Sequence, residues 1–247
     1  VHDDQINEYE KTLKAEGRQN IKCVYYKIVE QAHDEKNAIN IKRNDLIDIF
    51  SKYKDKTENT ILKEYYEYLL AIDADVNSFK NEPITVWREK YNHVYKGFFN
   101  HLVQDNIIQT KEDSIINGNY NWKYISNPSG GFWGLWWYGI KSECLDSCNL
   151  LEKYIDELYL EIEDNQIVIK MTGDSQEAQD VRWSLYEFCN KNVEEFKKKT
   201  FRKGKHMTVG YVEFDEKNYR EKIKTMENLM RSIVGGQYKF ETELKDV

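Results

Sequence analysis

Residues 4–28 read DQINEYEKTLKAEGRQNIKCVYYKI, and how this stretch is read decides the fold. Ile6, Tyr9 and Leu13 recur at helical spacing from Asp4 to about Glu16, and Gly17 follows where a helix C-cap belongs. The run Ile21 to Ile28 is rich in β-formers. A helix feeding directly into a strand is the second half of a βαβ unit, so the strand that opens the unit is expected upstream of Val1. The chain starts without Met, and on this reading it is a fragment whose first strand has an unpaired edge.

Downstream, Leu46, Ile49, Phe50 and Tyr53 mark one helix, and Ile61 to Leu70 mark a second. Val86 to Leu102 mark a third, with Pro83 near its first turn. Gln109 to Tyr120 reads as a linker or loop. The periodicity then changes. Trp122–Ser126, Gly131–Ile140, Leu158–Ile162, Ile167–Met171 and Met207–Phe214 have strand-like lengths, and Asp164-Asn165 supplies a hairpin turn. Gln176–Lys199 and Tyr219–Ile233 read as helices, the latter ending at Gly235-Gly236. The predicted fold is α/β passing to α+β. Its parts are the edge of an α/β core over 1–56, a helical segment over 57–112, and a mostly antiparallel sheet with two helices over 113–247.

Charged residues make up 32% and hydrophobic ones 40%, a globular balance that argues against disorder. A net charge of −7 gives no overall attraction to nucleic acid, so any polyanion contact needs a local patch. Cys144 and Cys148 form a close pair, but the five histidines supply no further ligands at zinc spacing. Free thiols in a reducing cytoplasm are the expected state. No apolar run is long enough for a membrane span.

Four features bear on chemistry. Gln5 and Tyr9, at i and i+4, share a helix face, though such a pair is commonly just a surface Gln beside a half-buried Tyr. In Ser129 to Tyr138 (SGGFWGLWWY), exposed Trp133 and Trp136 would stack on unpaired bases, while the plainer reading is a packed strand with glycine bulges. Lys197, Lys198, Lys199, Arg202, Lys203 and Lys205 form the one dense basic run, at a predicted helix end. It is the best phosphate-contact candidate in an acidic chain, and a solvated helix end is the ordinary alternative. Glu161, Glu163 and Lys170 read as alternating solvent-facing charge on a hairpin.

The helix-then-strand setting of Gln5 and Tyr9, together with WKYISNPSGGF at 122–132, resembles the PD-(D/E)XK nuclease superfamily of RecB type. The Gln5 and Tyr9 positions match that family's Q-x-x-x-Y element. The resemblance extends over most of the chain and implies a Mg²⁺-dependent DNA nuclease with a restriction-endonuclease-like core. The family's chemistry needs an Asp and a Glu/Asp-x-Lys on adjacent strands, where the carboxylates hold Mg²⁺ and the Lys positions water. That set is expected immediately before Gln5 and is not in this sequence. Glu195-Phe196-Lys197 has the letters but falls on a predicted helix, and Glu243-Leu244-Lys245 lies in a terminal tail without a preceding Asp strand. This chain alone is therefore expected to bind no metal and to be inactive as a nuclease. The alternative is a non-catalytic binding or sensor module that recognises nucleic acid or protein.

Overall fold

The computed structural model describes residues 5–89, 92–128, 130–150, 154–173, 175–201 and 204–238. The chain divides into two compact units, residues 1–82 with 86–100 and residues 83–85 with 101–247. Each is mixed in secondary structure. Among the described residues there are seven α-helices, a two-stranded parallel pair and a five-stranded antiparallel sheet.

The first unit begins with α1 (Gln5–Ala15), which ends at Gly17 with φ +80, the left-handed conformation a C-cap glycine adopts without strain. Strand β1 (Val24–Lys27) follows, and its partner is the downstream β2 (Ile39–Lys42), paired in parallel. The expectation of an upstream-only partner is corrected here. Ile39-Asn40-Ile41-Lys42 is too short to announce itself by periodicity. Helices α2 (Arg43–Ser51) and α3 (Thr60–Asn77) then pack together. Asn59 caps α3 by accepting the Leu62 N–H at 3.1 Å.

Arg43 ties these pieces together. It is 3% exposed, donates to Ile28 O at 2.8 Å, pairs with Glu30 at 2.8 Å and reaches Asp73 on α3 at 3.0 Å. A buried guanidinium is tolerable only with such a full set of acceptors. The predicted long helix after Pro83 is instead broken into a 3-10 stretch over Ile84–Glu89 and α4 (His93–Gln104). Trp87, Phe79 and Phe98 form an aromatic core, with Trp87 and Phe98 centroids 5.0 Å apart.

The second unit is a meander in the order β3-β4-β5-β6-β7. The strands are β3 (Asn121–Ile125), β4 (Phe132–Trp137), β5 (Glu157–Glu163), β6 (Gln166–Thr172) and β7 (His206–Glu213). A short α5 (Ser142–Ser147), not foreseen from sequence, precedes β5, and its Cys144 and Cys148 are free thiols. Helix α6 (Gln176–Asn192) joins β6 to β7, and α7 (Tyr219–Ser232) follows β7. Leu158, Leu160, Ile162, Ile167 and Ile169 on β5 and β6 are fully buried, as are Val181 and Leu185 on α6 and Met226 and Met230 on α7. The stretch 109–120 is a loop, as expected, and it is anchored at its centre. Ile116 is fully buried, and Asp113 accepts from the Ile115 and Ile116 N–H groups and pairs with Arg231.

Gly97 on α4 sits so close to α3 that an added Cβ would lie 2.0 Å from Val76 O. No side-chain rotation relieves a clash with backbone, so Gly97→Ala is expected to destabilise by about 1–3 kcal/mol despite alanine's better helix propensity. Gly235→Ala, with nothing within 4 Å of its Cβ, is expected to stay within about 0.5 kcal/mol. Thermal melts of both proteins check this, and equal melting temperatures would refute the close packing of α3 on α4.

Candidate functional site

In the first unit, Gln5 and Tyr9 are joined directly, Gln5 Nε2 donating to Tyr9 Oη at 2.8 Å. Both are exposed, Tyr9 at 59%. Between them in sequence, Asn7 accepts from Asn37 Nδ2 at 2.9 Å, which fastens the helix to the loop before β2.

In the second unit, the sheet has faces of opposite chemistry because side chains alternate along each strand. On β5, Leu158, Leu160 and Ile162 face the apolar core, while Tyr159, Glu161 and Glu163 share the other side. The register sets Trp136 of β4 beside Glu161 and Lys170 of β6 beside Tyr159. A bulge between β6 and β7 shifts the register past Ile169, so that Tyr211 and His206, an odd number apart, pair with Val168 and Thr172 on this same side. The result is a cavity of about 580 Å³ whose lining includes Lys123, Trp136, Tyr159, Glu161, Lys170 and His206.

The sequence expectation of solvent-facing charge on this hairpin is overturned: Glu161 is 4% exposed and Glu163 is 8%. The hairpin lies inside the sheet, and Trp136 of β4, Lys170 of β6 and Lys199 crowd its two carboxyls from the sides. Gly134 makes room for them, since a Cβ there would lie 2.7 Å from Glu161 Oε1.

The two carboxyls have different surroundings. Glu163 forms ion pairs with both Lys170 and Lys199, and these charges overcome its burial and hold it below the usual carboxylate range. Glu161 has Lys170 Nζ only at 3.8 Å. Burial, with the adjacent Glu163 charge adding to it, outweighs Lys170 and Lys199 and pushes Glu161 up to about 7. Burial likewise pushes the Tyr159 phenol up. Two neighbouring carboxyls driven apart in this way give one permanent anion and one group that holds a proton near neutrality. A signal was present in the sequence: Glu161 and Glu163 alternate with Leu160 and Ile162 directly after Tyr159. Alternation alone predicts a wet face there.

The structure separates the expected nucleic-acid residues. Trp136 lines the cavity, whereas Trp133 falls on the opposite face of β4, its ring centroid 5.9 Å from that of Tyr124. The basic run is not at a helix end, because α6 stops at Asn192. Its first part is extended, with Lys197 bridging Tyr211 of β7 in antiparallel fashion through bonds of 2.7 and 2.9 Å. Lys197 pairs with Glu213 at 2.6 Å and Lys199 with Glu163, while Lys198 lies 4.0 Å from the Trp183 ring centroid on the other side. Lys205 is exposed and accepts the Gly173 N–H through its carbonyl at 3.0 Å. Arg202 and Lys203 lie outside the described residues, as do Glu243 and Lys245. Glu195 pairs with Lys222, so Glu195 and Lys197 each engage a different partner. Among the described residues no group of three or more His, Cys, Asp or Glu could hold a metal ion, and no helix is long and apolar enough to cross a membrane.

Comparison of the chain with protein-family models, with curated proteins and with solved structures gives no match.

Glu161 carries a stability signature whose sign is fixed. Its folded-state pKa of about 7 lies above the ordinary 4.5, so the folded protein holds the proton more tightly. Stability is therefore full below that ordinary value and is lost as pH rises toward 7, by at most about 3 kcal/mol. Glu163 acts oppositely, and at lower pH. Glu161→Gln is expected to remove this loss, so that its advantage in melting temperature over wild type grows as pH rises from about 5 to about 8. Taking the difference between the two proteins cancels the raised Glu227 and the lowered His93, and a difference that is flat with pH counts against the buried acid.

Proposed function

We propose that this chain forms part of a metal-dependent DNA nuclease of PD-(D/E)XK type, acting in the cytoplasm in DNA processing or in defence against foreign DNA. The observation that carries the reading is the Gln5–Tyr9 bond on a helix that runs into a parallel strand pair. An exposed tyrosine hydroxyl held by a glutamine amide costs side-chain entropy without gaining burial. Orienting a substrate or a neighbouring catalytic group is a reason to keep it. In this reading α1, β1 and β2 are the edge of a restriction-endonuclease-like core, and Gln5 and Tyr9 are positioning residues beside the centre.

Nucleases of this type use Mg²⁺ bound by carboxylates. The described residues do not fit that ion, because no three potential ligands among them stand together. No catalytic step is assigned through it. Of the basic run, Lys197, Lys198 and Lys199 already engage Glu213, Trp183 and Glu163, so any DNA contact they make competes with these partners. A second reading, a binding or sensor unit, is favoured by the cavity on the sheet.

The 247-residue chain is expected to leave plasmid DNA intact with Mg²⁺ or Mn²⁺. The protein expressed from the whole open reading frame that contains it is expected to cleave, and Gln5→Ala or Tyr9→Phe is expected to slow that cleavage roughly tenfold to a hundredfold. An inert whole protein, or coding sequence with no Asp strand and Glu-x-Lys in frame before Gln5, sinks the nuclease reading.

A further inference from the structure

The nuclease reading makes no use of the cavity on the sheet, yet its walls narrow what fits. The volume of about 580 Å³ suits a small organic ligand. Trp136 supplies a broad aromatic surface within the lining, with Tyr159 and Phe132 also present. Glu161 lies beside Trp136 across the β4–β5 ladder, almost fully buried, and its cation partner Lys170 stands off at 3.8 Å. Lys123 is exposed along the same lining and holds its ammonium 5.4 Å from the Trp136 ring centroid. An apolar ligand would offer the buried Glu161 carboxyl no hydrogen-bond partner. A simple anion would leave the aromatic surface uncovered.

We propose that this cavity binds the base of a nucleotide, stacked on Trp136 and hydrogen-bonded along its edge by Glu161, with the phosphate toward Lys123. Each nucleobase has a donor and an acceptor side by side on its edge, and a protonated carboxyl presents the complementary acceptor and donor. Burial keeps the Glu161 carboxyl protonated up to about 7, so the binding form is the resting form below neutrality. Stacking on an aromatic side chain contributes roughly 1–3 kcal/mol per base and tolerates any base. The base comes either from a free nucleotide or from an unpaired position in a strand, the mode in which a base is taken out of the stack and read along its edge.

Isothermal titration of the 247-residue chain with AMP, GMP, CMP and UMP tests this, with ribose 5-phosphate as the base-free control. A mononucleotide is expected to bind at least about tenfold more tightly than ribose 5-phosphate, and Trp136→Ala to weaken it at least about fivefold. Between about pH 6 and about pH 8 the wild-type affinity is expected to fall, because the acid form is the one that binds. Glu157, Tyr159 and Glu163 on β5, Lys123 on β3, Lys170 on β6, Lys199 and His206 also face this space, so the variants isolate the group responsible. Glu161→Gln, which keeps a donor and an acceptor, should retain binding and lose the pH dependence, whereas Glu161→Ala should lose binding.

Circular dichroism confirms that each variant is folded. A short single-stranded oligonucleotide that binds more tightly than the mononucleotide assigns the base to a strand, and the reverse assigns it to a free nucleotide. Absence of binding to both overturns the proposal. So does equal affinity for ribose 5-phosphate, a wild-type affinity that is flat with pH, or unchanged binding by folded Trp136→Ala and Glu161→Ala. No cleavage is measured, so the nuclease reading stands or falls separately.

Discussion

The two-residue turn at Asp164-Asn165 fixes the register of β5 against β6, and the chemistry of the second unit depends on it. Glu163 faces Gln166 across the turn, and the pairing runs without a break to Glu157 and Thr172. Asp164 takes φ +54, a conformation that Asp and Asn tolerate better than most residues, and Asn165 O accepts the Phe214 N–H at 2.9 Å. A slip of one residue would turn Ile167 and Ile169 toward the cavity and put Lys170 in the apolar core. With the register held, Lys170 meets Glu163, and the polar face is neutralised from within.

That neutralisation is unequal, and the inequality follows from distance. Glu161 and Glu163 are two residues apart on one strand and almost equally buried. Glu163 lies where both Lys170 and Lys199 make contact. Glu161 lies beside Trp136 and above the missing side chain of Gly134, almost fully buried, and its nearest ammonium is farther off. The same residue type thus takes two protonation habits through neighbours alone.

Much of the framework was legible in the sequence. The β5–β6 hairpin with its turn, β7 and α7 are found within a few residues of where the patterns put them, and α3 starts where its pattern starts but runs on to Asn77. What escaped notice depends on contacts distant in sequence. β2 is a four-residue strand that exists because β1 is beside it, and the turn of α5 gives too few residues for a period. The basic run looked like a helix end because its charges continue those of α6, but Phe196 leaves the helix to pack on Gly210. The site was hidden for a related reason. Alternation says which residues share a face but not what covers that face, and the bulge opposite Ile169 and Lys170 breaks the alternation before it reaches His206.

The extended segment at Lys197 has a consequence for how copies of this protein meet one another. An open sheet offers its outer strand as a template, and an uncovered β7 would present a row of backbone groups ready to pair with another chain. The Lys197–Tyr211 bridge occupies part of that row with the protein's own backbone. It sets charged Lys197 and Lys199 on one side and Lys198 on the other, a local sequence in which a stacked, dry association with a second sheet is costly. The lysines read from sequence as a phosphate-contact run thus stand on a segment that covers part of the sheet's outer edge.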